Sequence, residues 1–365
     1  MSEDPGLASW LQLALTPGLG PTTLQRLLRQ FGLPQAVLAR KRGELAALAA
    51  PGALAALDSE SVAKAVARAL AWAAEPTHHI VTLADETYPK LLLEIPDPPA
   101  LLYARGRIEL LQRTALAIVG SRNATPQGES NAESLAKALS DAGFVIVSGL
   151  ALGIDAAAHR GGLAGASSTV AVVGTGIDVV YPSRNAALAA EIAERGLLVS
   201  EFPLGTAPAG QNFPRRNRLI SGLARGCLVV EAALASGSLI TARCAADQGR
   251  EVYAIPGSIH SPLSKGCHAL IKSGAKLVES AEDVLSELSG FQASGSANTR
   301  AEPPVADAGL LAVMGHDPVD VDSLCTRAGL TAEQVAAQLL RLELDGRVTV
   351  LPGGLYQRLE KAHRG

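Results

Sequence analysis

What most limits the fold of this 365-residue chain is a strict alternation of short apolar, β-branched runs with helical stretches, from about residue 79 to residue 288. The runs occupy 115–120, 144–149, 169–174, 197–201, 227–231, 251–256 and 275–279, with amphipathic stretches such as 130–142 and 186–195 between them. A strand with one wet face alternates apolar and polar residues; these runs do not, so both of their faces are covered. Repetition of this kind predicts an α/β fold, an extended Rossmann-like parallel sheet with helices on both sides, over 77–288. Two further runs, 79–84 and 100–104, are expected to extend the sheet at one edge.

The flanks differ. Residues 10–72 are rich in Ala and Leu at helical spacing, broken at Thr16-Pro17-Gly18-Leu19-Gly20-Pro21, Gly32-Leu33-Pro34 and Pro51-Gly52, which predicts a small helical domain of the SAM or helix-hairpin-helix type over 1–76. The Gly18-x-Gly20 turn before the helix expected at 22–30 resembles a hairpin whose helix N-terminus accepts a phosphate; an ordinary helix–helix turn fits the same residues. A stretch of Ser, Ala, Gly and Pro at 289–308 reads as a flexible linker. Beyond it, 309–365 offers three helical segments, a capping-box start at Thr331-Ala332-Glu333-Gln334, and a hairpin around Pro352-Gly353-Gly354, the pattern of a winged helix.

Hydrophobic residues make up 48% and charged residues 18% of the chain, which excludes a disordered protein. The start Met1-Ser2-Glu3-Asp4 is acidic where a signal peptide is basic, and no apolar run is long enough to span a bilayer, so a soluble cytoplasmic protein with no membrane role is expected. Four cysteines form no Cys-x-x-Cys pair and seven histidines show no ligand spacing; buried reduced thiols, no metal and no cofactor are expected.

In an open parallel sheet, ligands gather where the strands end at their C-termini. Here those ends carry Gly120-Ser121-Arg122, Gly149, Gly174-Thr175-Gly176 with Arg184-Asn185 beyond, Phe213-Pro214-Arg215-Arg216-Asn217-Arg218, and Ser236-Gly237-Ser238. Glycines let backbone N–H groups approach an anion, and arginine donates in a planar fork matched to phosphate. The formal net charge is −3, so any polyanion site must be local, and between Phe202 and Val230 four arginines (Arg215, Arg216, Arg218, Arg225) occur without an acidic residue. Pairing of these arginines with carboxylates from other loops is the competing explanation. Phe202, Phe213 and Tyr181 share the region in a chain only 3% aromatic. Rings beside arginines suit unpaired bases, which favours single-stranded over duplex nucleic acid; for Phe202, core packing fits equally well.

No Gly-x-Gly-x-x-Gly follows the first strand and no Gly-x-x-x-x-Gly-Lys-[Ser/Thr] occurs, which argues against dinucleotide redox chemistry and ATP hydrolysis. Asp155 and His159 stand four apart on an expected helix, but a helix-start aspartate and a half-buried histidine account for them without acid–base catalysis. Ser121 lacks an evident His–acid partnership. No enzyme activity is expected.

Taken in order, Ile95-Pro96-Asp97-Pro98-Pro99, Ile118-Val119-Gly120-Ser121-Arg122, Gly153-Ile154-Asp155 with Ala158-His159, Tyr181-Pro182, Phe213-Pro214-Arg215-Arg216-Asn217-Arg218, Ser236-Gly237-Ser238-Leu239-Ile240-Thr241-Ala242 and Ile255-Pro256-Gly257 resemble the signature of the DNA-processing protein A (DprA/Smf) family, over about residues 5–360. The resemblance implies a dimerising Rossmann-like protein that holds single-stranded DNA in a basic pocket and brings RecA recombinase to DNA imported during natural transformation. It places pocket residues at Arg122, Arg184 and 213–218; Arg184 stands where family members often carry lysine.

Two other readings share features with the chain: a nucleotide-processing Rossmann enzyme of the phosphoribohydrolase type, and a winged-helix regulator. The former's Pro-Gly-Gly-x-Gly-Thr signature is replaced by Ala235-Ser236-Gly237-Ser238-Leu239. The latter needs a basic recognition helix, yet residues 309–350 hold six acids against three arginines. A protein-contacting or accessory DNA role is the expectation for this last segment.

Overall fold

The structure, a computed structural model, describes residues 5–288 and 309–359; the linker expected at 289–308 lies outside them. Six helices come first: α1 (Pro5–Leu15), α2 (Pro21–Phe31), α3 (Pro34–Leu38), α4 (Arg42–Leu45), α5 (Pro51–Ala56) and α6 (Glu60–Ala73). The sheet region follows as β1 (His78–Thr82), α7 (Lys90–Leu93), β2 (Leu101–Gly106), β3 (Ala115–Val119), α8 (Pro126–Asp141), β4 (Val145–Ser148), α9 (Ile154–Ala164), β5 (Thr169–Val172), α10 (Ala186–Arg195), β6 (Leu197–Ser200), α11 (Asn212–Gly222), β7 (Gly226–Val229), α12 (Ser238–Asp247), β8 (Glu251–Ala254), α13 (Lys265–Lys272), β9 (Lys276–Leu277) and α14 (Ala281–Leu288). Last come α15 (Leu310–Met314), α16 (Val321–Ala328), α17 (Ala332–Leu344) and a hairpin of β10 (Val348–Leu351) and β11 (Leu355–Arg358).

The sheet has nine strands in the order β1-β2-β6-β5-β4-β3-β7-β8-β9. The strands from β6 to β9 are parallel, as the doubly apolar runs require. The two early runs do join an edge, but antiparallel, so the sheet is mixed: β1 pairs β2, and β2 pairs β6. Most strands end a residue or two before their apolar runs do, because the chain leaves the ladder at Gly120, Gly149 or Gly174 while still crossing the core. The chain moves outward from β3 through β4 and β5 to β6, then restarts beside β3 at β7 and moves the other way through β8 to β9. The gap between the ends of β3 and β7 is therefore the topological switch point.

One apolar cluster lies on each sheet face, around Ala117, Val147 and Val229 on one side and Ile118, Ile146 and Leu228 on the other. The N-terminal helices are packed onto this body: Leu11 of α1 and Ala69 of α6 are buried in one cluster with Tyr103, Leu198 and Ile192. Arg68 of α6 adds an ion pair to Asp178, 2.7 Å, in the loop after β5. In the C-terminal unit, Thr331 caps α17 and Gln334 reaches back to the Thr331 N–H, completing the capping box. The outer face of α17 presents Glu333, Leu340 and Leu344 to solvent.

Candidate nucleic-acid interface

A cavity of about 760 Å³ opens at the switch point. Its walls come from the segment after β3 (Gly120, Ser121, Arg122, Asn123), the first turns of α11 (Phe213, Arg216, Asn217), and the segment after β7 that starts α12 (Ser236, Gly237, Ser238). These segments, far apart in sequence, converge because β3 and β7 are hydrogen-bonded neighbours, with Ile118 opposite Leu228.

Three side chains form a row along one wall. The exposed Arg122 guanidinium lies 5.5 Å from the centroid of the Phe213 ring, and the Tyr181 ring stands 5.4 Å from Phe213 at 33°. Arg122 makes no ion pair among the described residues. Gly174 makes room for the row: a Cβ there would lie 2.8 Å from Cδ1 of Phe213. A flat ring edged by an uncompensated cation can stack a base and hold the adjoining phosphate. Across the cavity, the Ser236 and Ser238 hydroxyls are 2.7 Å apart at the start of α12, whose dipole is positive at that end. Asn217 donates to the carbonyl of Gly237 at 3.3 Å, tying α11 to that turn.

The arginines of α11 do not act as one patch. Arg216 lines the floor and is only 4% exposed. Its Nη1 donates to the carbonyls of Gly149, at 2.6 Å, and Val172, joining the ends of β4 and β5. Asp155 lies alongside and accepts from the N–H groups of Gly149 (3.1 Å) and Ala151 (3.4 Å). Burial pulls the Arg216 pKa down to about 10, against the pull of Asp155, so the floor stays cationic at neutral pH. Burial raises the Asp155 pKa, and Arg216 opposes that rise. Gly149 is required here, since a Cβ would meet both Arg216 Nη atoms and Asp155 at 2.7 Å.

Arg218 corrects the expectation of a phosphate fork. Its Nε donates to Asp97 at 2.6 Å and its Nη2 to Glu201 at 2.7 Å, so its planar face is occupied by carboxylates. Arg215 turns toward the N-terminal helices, 5.4 Å from the Phe202 ring and 3.5 Å from Glu201. Phe202 itself is 5% exposed and packs as core. Asn185, also buried, donates to the Leu150 carbonyl at 2.9 Å and holds a turn. Arg184 is exposed on that turn but outside the cavity wall, and Gly176 is wedged against the Pro203 carbonyl and Gly205 N–H. Asp97 and Glu201, which decide the fate of Arg218, carry no local signal because they are distant in sequence; Asn123 and Thr241 also line the wall and were not singled out individually.

His159 is sealed in the core. Its Nδ1 lies 2.7 Å from the Thr169 hydroxyl, which itself donates to the Ile146 carbonyl, and its Nε2 accepts from the Leu150 N–H at 3.3 Å. That network assigns the proton to Nδ1. Burial, then the nearby Arg216, lower its pKa to about 3. Below pH 6.5 the unfolded chain therefore takes up a proton that the folded chain refuses, and stability is lost as pH falls toward 3. We expect the stability advantage of wild type over His159→Gln to shrink by about 1.4 kcal/mol per pH unit between about pH 6 and pH 4. Denaturant titrations check this, and a gap constant with pH would contradict a neutral buried ring.

Among the described residues, no group of three or more His, Cys, Asp or Glu side chains is placed to hold a metal ion, and no helix is long and apolar enough to cross a membrane.

Residues 79–289 match the family model for DNA recombination-mediator protein A, and 295–354 match that of the DprA winged helix domain. The chain is similar to protein Smf of Escherichia coli, 44% identical over 308 residues covering 82% of each chain. It is similar to DNA processing protein DprA of Streptococcus pneumoniae, 48% identical over 206 residues, 56% of this chain and 73% of that one. The X-ray structure of DprA from Streptococcus pneumoniae superposes with a TM-score of 0.69 at 37% identity, covering 77% of this chain and 97% of the other. A DprA structure from Helicobacter pylori, described for its single-stranded DNA binding mode, gives a TM-score of 0.53 at 30% identity, covering 58% and 96%.

Proposed function

Since this chain belongs to the DNA recombination-mediator protein A (DprA/Smf) family, we propose that it binds single-stranded DNA in the switch-point cavity and delivers RecA recombinase to that strand. The observation that carries this reading is the row Arg122–Phe213–Tyr181, an unpaired cation beside two rings at the mouth of a glycine-lined cavity. Unpaired bases offer faces to such rings, whereas a duplex hides them. Phosphates then fall to Arg122, to backbone N–H groups around Gly120 and Ser121, and to the positive end of α12 at Ser236, Gly237 and Ser238.

Binding rather than catalysis suits this wall: among the described residues no histidine lines it, and Asp155 is committed to backbone amides and Arg216. The comparisons do not favour the nucleotide enzyme or the winged-helix regulator. We place the activity in the processing of DNA taken up in natural transformation, where loss of the protein lowers transformant yield, and in a homodimer; a solution mass equal to one chain of 37.5 kDa would refute the dimer.

The mediator role is tested by the lag before RecA begins to hydrolyse ATP on single-stranded DNA. Wild type is expected to shorten the lag, and Arg122→Glu to leave it unchanged. A lag indifferent to wild type removes the mediator role.

A further inference from the structure

The N-terminal helices carry a charge pattern that the cavity does not use. Residues 5–43 contain no acidic residue, yet Arg26, Arg29, Arg40, Lys41 and Arg42 lie within them. Two of these cations are neutralised locally: Arg40 lies 3.7 Å from Glu44, and Arg42 contacts Asp58. Arg26 and Arg29, three apart on α2, are exposed and make no ion pair among the described residues.

The start of α2 faces the sheet body. Gly18, Gly20 and Pro21 line a cleft of about 340 Å³ together with Tyr103 and Arg215. Tyr103, at the base of the cleft, is 1% exposed, and its hydroxyl is buried without a hydrogen-bond partner. Gly20 caps α2 without a side chain, and no protein acceptor meets the Thr22 and Thr23 N–H groups among the described residues. Glu201, the carboxylate in the cleft, is engaged by Arg218 and Arg215. The cleft also adjoins the cavity through α11: Phe213 faces the cavity, while Arg215, two residues on, faces α2.

We propose that the strand held in the cavity continues over Arg215 to the α2 face, where Arg26, Arg29 and the first-turn amides of α2 bind further phosphodiester groups. This inference rests on the cavity reading above and extends it to a second tract of the same strand. A cationic helix face next to an open helix N-terminus fits a flexible polyanion, and its contribution grows with strand length.

The test compares the full chain with R26E/R29E on a short oligonucleotide of about 6 nucleotides and a long one of about 25, enough for one and for several contact tracts. The double variant is expected to bind the short strand as wild type does and the long strand about 10- to 30-fold more weakly near 0.1 M salt, with a log–log salt slope lower by about 1.4. R26K/R29K, which keeps both charges, is expected to retain most of the long-strand affinity. Equal long-strand affinity in wild type and R26E/R29E overturns the second tract and leaves the cavity reading standing, as does equal weakening on both lengths. Failure of wild type to bind either length overturns the cavity reading itself.

Discussion

Reversal of Arg122 to Glu is expected to lower affinity for single-stranded DNA of every sequence alike, by at least about tenfold near 0.1 M salt, and to reduce the log–log salt slope by about 0.7 or more. The size follows from exposure without a partner: Arg122 makes no ion pair among the described residues, so its charge is available to a phosphate, and its replacement puts a carboxylate beside the Phe213 ring. Phe213→Ala separates stacking from charge. It should cost about 1 to 3 kcal/mol of binding while leaving the salt slope unchanged, because a ring releases no counterion. Unaltered affinity in both variants would mean that the strand lies elsewhere.

Arg216→Met is expected to produce the largest loss of stability, about 3 to 5 kcal/mol, because it strands the buried Asp155 carboxylate and leaves the Gly149 and Val172 carbonyls without their shared donor. Removing the second charge tests that cause. In D155N/R216M the asparagine still offers an oxygen to the Gly149 and Ala151 N–H groups, and about half of the lost stability should return. Urea denaturation of wild type, both single variants and the double variant closes the cycle. If the losses simply add, the two groups are not coupled and the floor is held together by other contacts.

The layered α/β body was legible because strand and helix leave different periods in a sequence, and because strands covered on both faces are apolar without alternation. The edge pair β1 and β2 was located as well, but not its direction: antiparallel pairing depends on which way the chain returns, which local composition does not record. The cavity's position followed from the switch-point rule, once glycine and serine were seen to cluster after the strands.

The arginine run was harder to read. In the sequence, Arg215, Arg216 and Arg218 form one basic segment. On α11 each residue turns by about 100°, so neighbours point apart. Arg215 faces the N-terminal helices, Arg216 the floor, and Arg218 the carboxylates of Asp97 and Glu201, the first of them 121 residues away. Local charge thus pointed to the segment that lines the cavity but could not assign each cation to its wall, because the neutralising partners arrive only when β2 and β6 pair. Phe202 and Phe213 divide in the same way, one buried as core and the other at the cavity wall.

An unpaired polynucleotide, rather than a duplex or a free nucleotide, is expected to occupy the switch-point cavity. Equilibrium binding of the full chain to matched single-stranded and double-stranded oligonucleotides, titrated with salt from about 0.05 to 0.5 M, tests it most directly. The expected result is a single-strand affinity well above the duplex affinity at each salt concentration, with little dependence on base sequence and a linear fall on log–log axes. Equal or tighter binding to duplex, or single-strand binding indifferent to salt, would contradict the account.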